Sequence, residues 1–396
     1  MSREDQPSLH TGDVIEVETE RLAFGGEAVA RVGGLALFIP LAAPGERLKV
    51  RVTQKKKNFA RALIEEIIRP SVDRRAPLCT HFGECGGCQL QHISYEAQIE
   101  AKSAFIRDSL RRIGHIEWKD DIEIRRSIEY GYRSRAQIKV EKQGDRLRIG
   151  FNRRLSHSVC DIESCPVLTD EINSSLAQLR SKLQSDNSPA EFEIAAGDAG
   201  VSISPSLEGF TSSVIERRIG EYTYRFSPSV FFQANPNLLE GMIIEAVGEE
   251  RGSLAIDLFA GVGLFTLPMS RLYKRVIGIE FDRDAVKLAE ENLAENKIFN
   301  VEYHCAAVER WLKDFSTAEA IDFILLDPPR GGAAEAIREI ARLQPKRIAY
   351  VSCDPATLAR DLRSLLDAGF ELKRVVGFDL FPQTYHVETI VLLARA

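Results

Sequence analysis

Apolar and polar positions alternate from Gly12 to about Ile68, interrupted by paired glycines. Val14, Ile15 and Val17 precede Gly25-Gly26; Val29 and Val32 follow, then Gly33-Gly34 and the apolar run Leu35 to Ile39. Leu48, Val50 and Val52 then interleave with Lys49, Arg51 and Thr53. Short segments of period two between glycine turns predict strands, and this many in succession predict a small β-barrel over 10–68. Pro70 to Pro77 reads as a linker. From Ile93 to Ile113 the period lengthens, with Ala97, Ala101, Phe105 and Leu110 recurring on one side, which predicts a helix. Residues 122–215 return to a β-rich pattern, strand-like at 137–140 and 147–151, with a further helix predicted over 172–183. Beyond residue 235, helical runs alternate with short apolar strands at Leu254–Phe259, Arg275–Glu280, Phe323–Asp327, Arg347–Cys353 and Glu388–Leu393. A βαβ series of this kind predicts a parallel sheet with helices on both faces.

The chain therefore reads as a multi-domain α/β protein in three parts: the barrel at 10–68, a β-rich central domain over 77–215, and a Rossmann-like domain over 216–396. The helix near 93–113 is a candidate to pack on the last of these. With 396 residues, 44% hydrophobic and 28% charged, the chain can bury several cores, which excludes disordered and disulfide-stapled classes. The most apolar stretch, 35–43, is broken by Pro40 and falls far short of the ~20 residues of a membrane span. The first ten residues lack a basic-then-apolar leader pattern, so a cytoplasmic protein with no membrane partner is expected.

Charge is distributed unevenly. The net charge is −6, but residues 46–160 carry 25 basic and 15 acidic side chains, whereas residues 161–396 carry 24 basic and 36 acidic. A basic front block joined to an acidic remainder suggests a polyanion-binding part attached to a different kind of machine. Three basic groups lie in the block: Lys55-Lys56-Lys57, Arg125-Arg126 with Tyr132-Arg133-Ser134-Arg135, and Arg153-Arg154. Such side chains supply salt-dependent phosphate affinity. Tyr132 and the Phe231-Phe232 pair are candidates to stack on splayed bases, the phenylalanines equally candidates for core.

Seven cysteines stand at 79, 85, 88, 160, 165, 305 and 353. An odd count without a leader argues against a disulfide framework, and the concentration between 79 and 165 points to a metal or cluster. Cys79-x5-Cys85-x2-Cys88 supplies three closely spaced thiols. Cys165 and Cys160 compete for a fourth place, and Cys165 is favoured because it is followed by Pro166. Spacing alone leaves zinc and an iron–sulfur cluster both open.

Residues 254–265 read LAIDLFAGVGLF: a strand, an acid, Gly261 and Gly263, then a helix. Glycines here let backbone approach a ligand at a helix N-terminus. The next strand ends in Glu280, where a carboxylate suits ribose hydroxyls. A nicotinamide fingerprint would continue to a small residue at position 266, where Thr266 stands. Asp257-x-Phe259-x-Gly261-x-Gly263 has the form of an S-adenosylmethionine loop instead. Two further strand ends carry polar clusters, Asp327-Pro328-Pro329-Arg330 and Ser352-Cys353-Asp354-Pro355. Cys353 sits where a nucleophile belongs, at a helix start expected to favour its thiolate. Glu388, opening the last apolar strand, is a candidate general base. His386 is expected to line the pocket, and Cys305, without comparable neighbours, is expected to be structural.

With these residues assembled, the chain resembles the RNA (uracil-5-)-methyltransferase family, nearest its iron–sulfur-containing 23S rRNA branch. The resemblance rests on FSPSVFFQANPN at 226–237, DLFAGVG at 257–263, LLDPPR at 325–330, YVSCDPATLARD at 350–361 and FPQTYHVET at 381–389. It implies a TRAM-like RNA-binding barrel, an iron–sulfur central domain and a class I S-adenosylmethionine methyltransferase domain. It further implies methylation of uracil C5, with Cys353 adding to C6 and Glu388 removing the C5 proton. Cofactor contacts would fall on Gln233, Phe259, Glu280 and Asp327 besides the two glycines. Cys79, Cys85, Cys88 and Cys165 would hold a 4Fe-4S cluster, with Gly86-Gly87 letting the chain wrap closely. Leu264 and Ala307 depart from the family pattern by offering no polar side chain. The expected partner is RNA, foremost 23S rRNA, bound by a monomer. The T-loop uridine of tRNA is the alternative substrate, and a non-catalytic RNA-binding iron–sulfur sensor is the alternative of another class.

Overall fold

The computed structural model describes residues 9–143, 146–183 and 189–395. Strands β1 (Val14–Leu22), β2 (Ala28–Val32), β3 (Leu35–Ile39), β4 (Arg47–Lys55) and β5 (Phe59–Arg69) close a barrel in the order β1-β2-β3-β5-β4. The period-two pattern is the cause. Leu48, Val50 and Val52 turn inward and are buried, while Lys49, Arg51 and Thr53 face solvent. Helix α1 (Tyr95–Arg112) begins at Ser94, whose Oγ accepts the Ala97 N–H at 3.2 Å. Its two apolar sides serve two cores. Ala97 and Phe105 close the barrel core, whereas Ile99, Ile106 and Leu110 pack on the large C-terminal sheet.

Strand β6 (Glu123–Arg125) follows α1 and pairs in parallel with the edge of that same large sheet. The span 77–215, read from sequence as one central unit, is thus divided. Residues 95–125 lie with the C-terminal sheet, because Ile122 and Ile124 bury against Ile106 and Leu110 there. The central sheet itself consists of β7 (Arg135–Gln143), β8 (Arg146–Asn152), β9 (Val159–Asp161), β10 (Glu191–Gly197) and β11 (Gly200–Ser204), ordered β11-β10-β7-β8-β9. Helix α2 (Asp170–Lys182) covers it through Ile172, Leu176 and Leu179. A hairpin of β12 (Ile215–Ile219) and β13 (Tyr222–Phe226) and helix α3 (Leu239–Val247) lead into the last domain.

There, β14 (Gly252–Leu258), α4 (Thr266–Met269), β15 (Tyr273–Glu280), α5 (Arg283–Glu295), β16 (Val301–Cys305), α6 (Val308–Asp314), β17 (Ile321–Leu326), α7 (Ala334–Leu343), β18 (Arg347–Ser352), α8 (Pro355–Asp367), β19 (Phe370–Phe378) and β20 (Glu388–Arg395) follow in sequence. The eight-stranded sheet runs β16-β15-β14-β17-β18-β20-β19-β6. Along β14, Leu254, Ile256 and Leu258 enter the core on one face and Ala255 the core on the other, hence the unbroken apolar runs. The sheet is not parallel throughout, as the βαβ reading expected. β20 runs antiparallel to both β18 and β19. Only the nine residues 379–387 join β19 to β20, too few for a crossover. Among the described residues, no helix is long and apolar enough to cross a membrane.

Candidate active site

The strand order brings four loops to one edge of the sheet: those after β14, β15, β17 and β18, the edge where ligands bind in open α/β sheets. After β14 the chain turns sharply. Phe259, Gly261 and Gly263 all take positive φ, at 62°, 53° and 98°. At Gly263 a Cβ would stand 2.6 Å from Leu267 Cδ1 and 2.9 Å from the Tyr303 hydroxyl, so a side chain is excluded twice over. Glu280, at the end of β15, grips this turn. Its Oε2 accepts the Gly261 N–H at 2.8 Å, and its Oε1 accepts those of Phe281 and Asp282 at 2.7 and 2.9 Å. Asp257 lies beneath, fully buried, accepting the Thr266 hydroxyl at 2.5 Å, and Tyr303 donates to that same Thr266 oxygen at 2.8 Å. Burial, offset only in part by this hydrogen bond, pushes the Asp257 carboxyl up to about 7. Sequence reading missed Thr266 and Tyr303 as supports of the loop. The bare signal was a hydroxyl where a nicotinamide site has a small residue.

Gln233 is buried on the segment after β13. Phe232 of that segment packs with Val262 and Leu264 of the glycine turn, and Asn235 Nδ2 donates to the Leu380 carbonyl at 3.0 Å. The segment therefore bridges the glycine turn and the 379–387 turn. The Leu264 side chain is in the core and its carbonyl accepts the Tyr224 hydroxyl at 3.0 Å.

Asp327 follows β17 and Cys353 follows β18, on neighbouring strands. Glu388 joins them because β20 is antiparallel: its second residue, Thr389, is the register partner of Ser352. A parallel β20 would have carried Glu388 to the far edge of the sheet. Glu388 is 4% exposed; burial first and then Asp327 push its carboxyl well up, opposed by Arg330. Burial also holds Asp327 at about 7. The Cys353 thiol is pushed up to about 12 by burial and by Glu388, again opposed by Arg330. At the start of α8 the thiol thus meets burial and the carboxyls of Glu388, Asp327 and Asp354, which oppose its ionisation, and Arg330, which favours it. Asp354 caps α8 and its Oδ1 takes the Ala356 and Thr357 N–H groups at 2.9 Å, adding a negative charge beside the sulfur. Three buried carboxyls and a neutral thiol around one edge suit a cationic ligand, since a positive charge among them favours their ionised forms. His386 is held neutral, lowered to about 4 by burial and then by Arg330.

Cys79, Cys85, Cys88 and Cys165 line one cavity, together with Tyr132 and Thr384; Cys160 is not on its wall. Burial pushes the Cys85 and Cys88 thiols up to about 11 and about 12, so these sulfurs gain from a metal partner that takes their protons' place. Four thiolates of one zinc ion would stand about 4 Å apart, given Zn–S bonds of ~2.3 Å. Among the described residues, the ligand atoms that gather within 4.8 Å of one another are instead those of His81, Glu84 and Cys160. Gly86 is required less by the cavity than by β8: a Cβ there would stand 3.0 Å from the Asn152 carbonyl.

Other expected contacts separate. Tyr132 is buried, its hydroxyl donating to the Pro382 carbonyl at 2.9 Å, so it is a strut and not a stacking surface. Phe232 stacks on Phe226 at 4.4 Å in the core, while Phe231 is 67% exposed. Arg135 donates to the carbonyls of Val230 and Pro228 and is structural. Lys55, Lys56 and Lys57 are exposed at the end of β4. Cys305 closes edge strand β16, away from the catalytic strands.

Residues 210–396 match the tRNA (Uracil-5-)-methyltransferase family and residues 9–64 match the TRAM domain. The chain is 32% identical to the 23S rRNA (uracil(1939)-C(5))-methyltransferase of Aeromonas salmonicida (strain A449), over 96% of each chain. It is 35% identical to the enzyme of the same name from Salmonella choleraesuis (strain SC-B67), over 97% of each. Its fold is that of the Pyrococcus abyssi tRNA (uracil-54, C5)-methyltransferase, solved with S-adenosyl-L-homocysteine. The TM-score is 0.74 and the identity 22%, over 96% of this chain and 100% of that one.

Proposed function

The chain belongs to the RNA (uracil-5-)-methyltransferase family, and on that premise we propose that it methylates uracil C5 in 23S rRNA, as a cytoplasmic monomer. The relatives that match along the whole chain are named for that RNA. The observation that carries the reading is the meeting of Cys353, Glu388 and Asp327 beside the glycine turn, brought about by the antiparallel β20.

Uracil C5 is a poor nucleophile. The Cys353 thiol loses its proton to solvent, a step that Arg330 and the positive charge of a bound cofactor would favour, and the thiolate forms a bond to C6 while the C5–C6 π electrons move onto the C4 carbonyl as an enolate. Arg330, the cation that favours the ionised forms of both Cys353 and Glu388, supports this charged stage. S-adenosylmethionine, when bound, would supply the methyl group to C5 and leave as the neutral thioether. Glu388 then accepts the C5 proton, the C5–C6 double bond re-forms, and the Cys353–C6 bond breaks to release the thiolate. Phe259, Gly261, Gly263, Glu280, Gln233 and Asp327 would hold the cofactor. Cys79, Cys85, Cys88 and Cys165 would hold a 4Fe-4S cluster whose part is to fix the surrounding loops. A uracil within folded RNA must swing out of its stack to reach Cys353.

The deciding experiment incubates the purified protein with methyl-labelled S-adenosylmethionine and, separately, 23S rRNA and tRNA transcripts, then maps 5-methyluridine. Label in the 23S transcript, lost in Cys353→Ala, is expected. Label in tRNA alone would replace the substrate, and full labelling by Cys353→Ala would overturn the mechanism.

A further inference from the structure

Gln383 stands five residues before Glu388, buried, with a left-handed φ of 68° that a non-glycine residue holds only under constraint. The constraint comes from the cysteine-bearing loop and from α1. The Gln383 carbonyl accepts the N–H groups of Gln89 and Leu90 at 3.0 and 2.9 Å, and these two residues directly follow Cys88. The Gln383 N–H donates to Gln98 Oε1 at 2.9 Å, and Gln98 Nε2 donates back to Gln383 Oε1 at 3.0 Å. The residues on either side of Gln383 touch the same region. Pro382 is held by Tyr132, and Thr384 faces the cavity alongside the four cysteines. Onward, the His386 N–H donates to Thr384 Oγ1 at 3.2 Å, and Glu388 opens β20 two residues later. A short path of chain and hydrogen bonds therefore runs from Cys88 through Gln383 and Thr384 to the start of the strand that carries the proposed base.

We propose that Gln383 is a positioning residue through which closure of the cysteine-bearing loop around its cluster holds Glu388 in place beside Cys353. The inference rests on the proposed roles of Glu388 and of the four cysteines. The physical reason is cooperative. The strained turn has its carbonyl satisfied only while residues 88–90 keep their course, which closure of the loop at Cys85 and Cys88 would set, while its amide is held separately by Gln98 of α1. Releasing the sulfurs frees the loop, the Gln383 carbonyl loses both donors, and the turn relaxes out of the left-handed region.

The test is amide hydrogen exchange on the full-length protein, following peptides that cover 379–388, with the cluster loaded and after its removal by oxidation and chelation. Removal is expected to speed exchange there at least tenfold while β14 and β17 stay unchanged. The loaded Gln98→Met variant, which keeps volume but loses both hydrogen bonds to Gln383 and the longer ones to the Leu90 and Ile93 carbonyls, should show the same acceleration with unchanged cluster absorbance and cofactor affinity. Its kcat should fall at least tenfold with KM for RNA within twofold. The acid limb of its kcat profile should move to lower pH, because a Glu388 released toward water loses the burial and the Asp327 charge that raise it. A purely structural role would not move that limb. Unchanged exchange over 379–388 on both cluster removal and Gln98→Met overturns the proposal, as does a slowed variant with an unmoved acid limb. If removal unfolds the chain generally, the loaded variant decides; if the variant does not fold, the wild-type comparison decides. Absence of methyl transfer by the loaded wild type would overturn the proposed function instead, and the exchange coupling would still be read.

Discussion

Ser352 and Thr389 are register partners across β18 and β20, and that pairing sets Cys353, the proposed nucleophile, beside Glu388, the proposed base. Thirty-five positions separate these two groups in sequence, yet each needs only to be one residue from a paired strand end. If the base acts after methyl transfer, removing it should trap the reaction midway. Glu388→Gln is expected to accumulate a covalent RNA–protein adduct, seen as a retarded band on a denaturing gel, with turnover down about 10²–10⁴-fold. Cys353→Ala should give neither adduct nor product. A Glu388→Gln protein that turns over normally without adduct would remove Glu388 from the mechanism.

How much of this was legible in the sequence depends on how local each cause is. The barrel strands follow from period-two burial within single segments, and the glycine turn with Glu280 follows from a strand-end pattern. The direction of β20 is not local: the run Glu388–Leu393 reads identically either way, and only the nine-residue connection shows that it must return. β19 was unreadable because its register shifts between Leu372 and Arg374, which breaks the alternation. β16 is an edge strand whose residues are partly exposed on both sides, so no apolar run announces it. Tyr132 and Arg135 look like an RNA-facing pair in sequence. Their partners, Pro382 and Val230, lie far along the chain, and tertiary contact alone makes them internal.

Lys102 of α1 and Asp379 form an ion pair with neither side chain exposed, and Lys102 Nζ also donates to the Phe381 carbonyl at 3.1 Å. Lys102→Met would leave the Asp379 charge buried without its cation. Loss of one partner of a buried pair typically costs about 3–5 kcal/mol. Replacing both, as Lys102→Met with Asp379→Leu, removes the orphan and should recover most of that loss. Denaturant unfolding of the three proteins checks this; a single variant as stable as wild type would show that the pair contributes nothing.

The cysteine cavity bears on the fourth ligand, for which Cys160, beside Cys85, is the competitor. Cys165 is on its wall and Cys160 is not. Cys165→Ser should lose the brown absorbance of a loaded cluster, whereas Cys160→Ser should retain it after anaerobic reconstitution. Iron and sulfide analysis of both variants checks the assignment, and the reverse pattern would move the fourth ligand to Cys160. Zinc with no iron in the purified protein would replace the cluster altogether.

Asp257 provides a pH signature whose sign can be worked out. Its carboxyl titrates at about 7 in the folded protein against an ordinary value of 3.8, chiefly through burial, and its Oδ1 has no hydrogen-bond partner among the described residues. Between about pH 4 and 7 the unfolded chain has lost this proton while the folded protein keeps it. Raising pH across that window therefore costs stability at this site, and the loss levels off above about 7. Asp257→Asn cannot ionise and escapes that loss. Its stability relative to wild type should accordingly rise between pH 5 and 7.5, by at most about 3 kcal/mol at ~1.4 kcal/mol per pK unit. The measurement is a pair of unfolding curves at each pH without cofactor. Taking the difference between variant and wild type cancels opposing groups such as His92 and His386, whose lowered values gain stability as pH rises. A difference that stays constant from pH 5 to 7.5 would mean that Asp257 is already ionised in the folded protein, and its burial beneath the glycine turn would then need a cation to explain it.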